Sequence, residues 1–255
     1  MLKTLRITRF NSLCRAFTLL ELLAVIAVIV ILVALLLTTL SSAKAFTKRV
    51  TCLNQERQLG MLQTASSEDQ NGSLFARGPQ LDWVDSIQDD ASLSPKMLIC
   101  PTVSINSSSK QNLLIIRGKK TILPRLDPER SYVLNGCSDY LFETDETFDW
   151  LGKNVNIPAV AALYPSQTIL MGEKHLSSDF KWVDVLPLGG DYSDHIAESR
   201  HRRTGVANGV SASGANYLFI DGHAESISFG KATCPENLWA TTDKWRTHAA
   251  LCRPR

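Results

Sequence analysis

The sequence predicts an α+β fold, in which a long N-terminal helix, transmembrane at first and then amphipathic, packs on an antiparallel β-sheet with an enlarged C-terminal region. Three observations predict it. No proline interrupts the chain from Phe17 to Ser66, and that stretch is first apolar throughout and then amphipathic. Beyond Leu74, short runs rich in β-branched and aromatic residues alternate with turn residues. Two such runs flank Asp221-Gly222, a dipeptide favoured in two-residue type I′ hairpin turns.

The composition suits folded protein. Of 255 residues, 44% are hydrophobic and 20% charged, enough for one large domain or two small ones rather than a disordered chain. The formal net charge is +2, and Lys3, Arg6, Arg9 and Arg15 precede Phe17 with no acid among them, which leaves the rest of the chain at −2. No basic surface for nucleic acid is implied.

The elements follow in order. Residues 1–16 form a basic leader. The apolar run Phe17 to Leu40, as a helix rising about 1.5 Å per residue, extends about 36 Å and crosses a hydrocarbon core of about 30 Å. Basic residues flank both ends, with Lys44, Lys48 and Arg49 after the run, so the positive-inside rule favours a cytoplasmic N-terminus only weakly. A cleavable secretory signal ending at Ala43-Lys44-Ala45 is one rival, although such signals carry apolar cores of only about 7–15 residues. An uncleaved single-span anchor is the other.

Residues 41–70 continue the helix, with Ala43, Phe46, Val50 and Leu53 at three- and four-residue spacing as its apolar stripe, and the stretch Glu68 to Gly72 ends it. A soluble α+β domain is expected over residues 71–230, with strands at Lys96–Cys100, Leu113–Arg117, Ser131–Leu134, Thr168–Gly172, Trp182–Val185, Asn216–Ile220 and Ala224–Phe229. The Gly-, Ser- and Ala-rich stretch from Thr204 to Gly214 reads as an inserted loop. Residues 231–255 read as a tail with a short helix at Glu236–Ala240.

The residue that demands explanation is Glu21. A carboxylate in a membrane segment costs on the order of 2.5–3.5 kcal/mol when centrally placed, and normally marks a site with a partner. Near an interface it also snorkels into water and complements the helix dipole. The string Arg15-Ala16-Phe17-Thr18-Leu19-Leu20-Glu21 resembles the processing site of type IV prepilins and type II secretion pseudopilins. The resemblance implies cleavage between Ala16 and Phe17 by a prepilin peptidase that methylates the new amino terminus. It also implies that Glu21, fifth in the mature chain, pairs with the α-amino group of Phe17 in the same or a neighbouring subunit. Gly is usual before the cut, and Ala16 stands there in this chain.

Further stretches resemble a prepilin-type subgroup with a C-terminal His-x9-Asp-Gly region: Cys52 to Gly60, Ile99-Cys100-Pro101, Ser131 to Asn135, Pro165 to Glu173, and Ala215 to Ile227. There His201, Asn216, Asp221, Gly222 and His223 stand for the C-terminal motif, with nineteen residues rather than nine between His201 and Asp221. The implied fold is pilin-like. The implied partners are the peptidase, inner-membrane secretion or pilus machinery, other pilin-like subunits and membrane lipid. The implied location is the inner membrane, single-pass, with the N-terminus cytoplasmic and the C-terminal domain periplasmic or extracellular.

Six cysteines include no C-x-x-C pair, which argues against a zinc ribbon or thioredoxin-type site. For an exported domain, Cys52–Cys100 and Cys234–Cys252 are the expected disulfides, against the alternative of buried free thiols. Acid and imidazole groups cluster at Asp191 to His195, at Glu173 with His175, and at Asp221 with His223, but no H-E-x-x-H or EF-hand spacing occurs. No metal and no cofactor are expected. Neither a G-x-S-x-G elbow nor a P-loop is present, so catalysis is not expected.

Overall fold

The computed structural model describes residues 17–69, 72–78, 82–84, 87, 93–103, 111–116, 119–124, 130–145, 153–175, 180–185, 195–207 and 210–247. The chain separates into two compact units, Met1–Ala43 and Lys44–Arg255. The amphipathic stretch, soluble region and tail expected from the sequence thus belong to one unit.

Helix α1 (Leu19–Asp69) is continuous, as the absence of proline requires. Thr18 and Glu21 form a reciprocal pair at its start: Glu21 N–H donates to Thr18 Oγ1 at 3.2 Å, and Thr18 N–H donates to Glu21 Oε2 at 2.9 Å. That is a capping box, which satisfies two of the helix's unpaired N–H groups. At the far end Gly72, at φ +77°, returns its N–H to Ser67 O at 3.1 Å, a positive φ that glycine adopts without penalty. The helix is long and apolar enough to cross a membrane, and its most apolar stretch is not buried inside the protein.

In the second unit the buried stripe of α1 is Cys52, Glu56, Leu59, Gln63 and Ser67. The stripe expected from the apolar residues is rotated away from it: Phe46 and Val50 are exposed and Leu53 is half-buried. Apolar periodicity missed the true face because three of its members, Glu56, Gln63 and Ser67, are polar.

That face lies on a six-stranded sheet made of β4 (Tyr132–Asn135), β6 (Ile169–Glu173), β7 (Trp182–Val183), β8 (His201–Ala207), β9 (Val210–Phe219) and β10 (Ala224–Ser228). The order is β10-β9-β6-β4-β7, with β8 also pairing β9. All pairs are antiparallel except β4–β7, which is parallel. Leu59, Leu62, Leu134, Leu218 and Ala224 share one core on the α1 side. Val133, Ile169, Val183, Tyr217 and Phe219 form a second core with Ala232, Trp239 and Ala240. Period-two alternation on β4 and β9 sends neighbouring side chains to opposite faces. Both faces are covered, so the strands read as apolar runs.

Several elements depart from the sequence reading. Residues Pro95–Leu98 form a 3₁₀ turn rather than a strand, since Ser94 and Pro95 supply helix-start chemistry. The stretch expected as an inserted loop is two paired strands, with His201 opposite Gly214 and Ala207 opposite Val210; Asn208 and Gly209 between them lie outside the described residues. The Asp221-Gly222 turn is a hairpin but not type I′. Gly222 N–H donates to Phe219 O at 3.0 Å and Gly222 alone has positive φ there, so Ile220 and Asp221 form a type I turn closed by a left-handed glycine. Such a three-residue loop needs only one positive φ, which spares Asp221.

Besides β8, the sequence reading did not anticipate β1 (Ser73–Arg77) and its partner β5 (Val155–Pro158), β3 (Lys119–Pro124), which pairs with the expected β2 (Gln111–Ile116), or α2 (Ser138–Thr144). The terminal helix α3 is Asp243–Arg246, not Glu236–Ala240. Residues 231–247 are no loose tail: Trp239 is fully buried, edge-on to Tyr217 at 6.1 Å, and Asp139 on α2 accepts from Thr241 N at 2.6 Å and Thr242 N at 2.9 Å.

Candidate metal centre

Cys52, Cys100, Glu173 and His201 come together from four elements. Cys52 lies on the buried face of α1. Cys100 follows the 3₁₀ turn, which is tied to the start of β4 by Ser131 N–H donating to Leu98 O at 2.9 Å. Glu173 ends β6 and His201 begins β8. Gly214, opposite His201, has room only for hydrogen, because a Cβ there would sit 2.4 Å from Ile227 O.

All four are buried, and one ligand atom of each lies within 4.8 Å of the others. The Cys52 thiol donates to Glu173 Oε1 at 2.9 Å, and His201 Nε2 stands 2.8 Å from the same oxygen and 3.9 Å from Cys100 Sγ. Outer groups hold this set in place. Tyr132 Oη is 3.1 Å from Cys52 Sγ and donates to Gln55; Thr102 Oγ1 is 2.9 Å from Cys100 Sγ; and Asn216 N–H donates to Glu173 Oε2 at 3.1 Å.

The interior is crowded with acids. Burial and the Glu173 charge push the Glu56 carboxyl well up, and burial chiefly raises the Cys52 thiol. Burial also opposes ionisation of Glu173, but the His201 bond and the His201 and Arg200 charges hold it below the ordinary carboxylate range. Burial works the same way on Cys100, where hydrogen bonding with Cys52 and His201 brings the thiol down to about 6. Burial disfavours the His201 proton, yet bonds to Cys100 and Glu173 raise it to about 9. Two thiols, an imidazole and a carboxylate in a dry interior are a tetrahedral metal donor set.

The cysteines correct the sequence reading. Cys52 and Cys100 are free thiols, as is Cys137. Cys52 and Cys100 do meet, but as members of a four-group cluster. Cys234 is disulfide-bonded, while Cys252 lies outside the described residues. Of the three expected acid–imidazole groupings, Asp191 to Asp194 lie outside the described residues. Asp221 accepts from His223 Nδ1 at 2.6 Å on an exposed turn, and Glu173 turns inward to His201 while His175 is exposed.

His201 and Asn216 of the C-terminal motif do meet, at 3.3 Å, and Asn216 Nδ2 also donates to Arg49 O on α1 at 3.0 Å. Asp221, Gly222 and His223 form the separate hairpin turn. Phe17 is exposed; Ala16 lies outside the described residues. Sequence reasoning passed over the metal donors as a group, because their spacing matches no metal motif. The available signal was that Cys52, Cys100, Tyr132, Glu173 and Asn216 each fall inside a stretch already singled out in the sequence.

No protein-family model, no curated protein and no solved structure matches the chain.

Proposed function

We propose that this chain is a prepilin-like (pseudopilin) structural subunit, stored in the inner membrane with its N-terminus cytoplasmic, cut between Ala16 and Phe17 by a prepilin peptidase and N-methylated there. Secretion or pilus machinery then draws it, with other pilin-like subunits, into a periplasmic or surface filament. The observation that carries this reading is α1: a single 51-residue helix opens right after the Ala16-Phe17 string, and its apolar stretch is left unburied by the rest of the chain. An apolar rod of that kind needs lipid or like rods around it. The packing of the outer part of α1 on a sheet suits a pilin-like domain.

A second reading is an uncleaved single-span anchor carrying a periplasmic binding domain. The capping box favours it, since Thr18 gives Glu21 hydrogen-bonding partners within its own chain. Glutamine also serves at the third position of a capping box, whereas alanine does not. Glu21→Gln therefore keeps the cap and removes the charge. The filament reading expects Glu21→Gln and Glu21→Ala both to insert into membranes and both to fall at least tenfold in incorporation into sheared filaments. Wild-type incorporation of Glu21→Gln would remove the charge pairing from the account.

A further inference from the structure

We propose that Cys52, Cys100, Glu173 and His201 are the four ligands of a structural Zn2+ that fastens α1 to the sheet. A tetrahedral zinc with bonds of about 2.0–2.3 Å has ligand–ligand edges of about 3.3–3.8 Å. Three of the six observed separations, 2.8, 2.9 and 3.9 Å, bracket that range, and all six lie within 4.8 Å, so shifts of about 1 Å or less seat the ion. Two sulfurs, one imidazole nitrogen and one carboxylate oxygen suit zinc. Calcium and magnesium take sets of oxygen ligands. Four protein ligands leave no open position, which is the pattern of a structural site.

Glu56 points to a cation independently. It lies one helical turn beyond Cys52, is fully buried, and neither carboxylate oxygen has a hydrogen-bond partner among the described residues. It interacts electrostatically with Glu173 and Cys100, both members of the ligand set. A buried carboxyl with no donor is costly. The Arg200 charge acts on Glu56 as well but makes no hydrogen bond to either oxygen, and a divalent ion held by its neighbours adds to that positive field. Arg200, whose Nε is 3.6 Å from Glu173 Oε1, balances part of the ligands' negative charge. Tyr132, Thr102 and the Asn216 N–H then act as the outer groups that orient metal ligands. Each ligand gives up its proton on binding where it still holds one, and no bond other than those to the metal forms.

The rival fate of the two sulfurs is a Cys52–Cys100 disulfide, and one preparation separates the two. The full chain is purified in mild detergent without chelators, and its metal content and disulfides are measured. About one zinc per chain is expected, falling at least tenfold in Cys100→Ser and in His201→Ala and unchanged in Cys137→Ser, whose buried thiol lies outside the cluster. Metal-stripped wild type titrated with Co2+ should develop thiolate-to-cobalt charge-transfer absorption, a readout that does not depend on any variant folding. The proposal is overturned by wild type that neither carries zinc nor takes up Co2+, by a mapped Cys52–Cys100 disulfide, or by folded Cys100→Ser with full zinc. None of these outcomes bears on filament assembly, so the two proposals stand or fall separately.

Discussion

At the residue scale, buried polar side chains are the fixed points of the second unit. Asn135 is fully buried and its amide uses both donors and accepts once: Nδ2 donates to Ile169 O and Trp239 O, each at 2.7 Å, and Oδ1 accepts from Cys137 N–H at 2.9 Å. One amide thereby ties β4, β6 and the C-terminal segment. It also supports Cys137, whose φ of +49° is left-handed and unfavourable for a side chain with a Cβ. Asn135→Ala strands two carbonyls and an N–H, each costing about 1–3 kcal/mol if left dry. Denaturant unfolding of the detergent-solubilised protein should show a loss of at least about 2 kcal/mol; a loss under about 0.5 kcal/mol would mean that water replaces the amide freely. Such residues were invisible in the sequence, where a buried asparagine looks like any turn asparagine.

At the element scale, what was legible followed periodicity and length. Helix α1 was readable because its 51 residues contain no proline, and the β9–β10 hairpin because β-rich runs flank Asp-Gly. Helix α2 has seven residues, too short for a period to emerge, whereas the two-residue β7 falls inside the strand expected at Trp182–Val185. The rotation of the buried face of α1 went unread because that face carries Cys52, Glu56 and Gln63 for the cluster and the strand β1, where Gln63 Nε2 donates to Leu74 O at 2.7 Å. Gly60 sets how closely α1 approaches β9, since a Cβ there would lie 2.7 Å from Leu218 Cδ2. Gly60→Ala displaces only the end of a flexible side chain and should change stability little. Gly60→Leu inserts a whole side chain between helix and strand, and should cost about 1–3 kcal/mol in the same unfolding assay. Equal stability of the two variants would show that the helix is free to lift.

At the scale of the whole molecule, the candidate metal site was the least legible feature. Its members are separated by 121 residues for Cys52 and Glu173, 101 for Cys100 and His201, and 28 for Glu173 and His201. The packing of α1 and of the 3₁₀ turn against the sheet brings them together. If zinc spans α1, the turn before β4, β6 and β8, its binding energy adds to folding. Treating the purified protein with a strong chelator should lower its midpoint of thermal unfolding, and added Zn2+ should restore it. An unchanged midpoint in metal-containing protein would deny the ion a structural role.

The filament account ties an apolar helix to a single processing event at its threshold. Intact-mass and N-terminal sequence analysis of the protein from native membranes tests that event most directly. The account predicts a chain that begins at Phe17 with a methylated α-amino group. A chain that still carries residues 1–16 would contradict it and leave the anchor reading in its place.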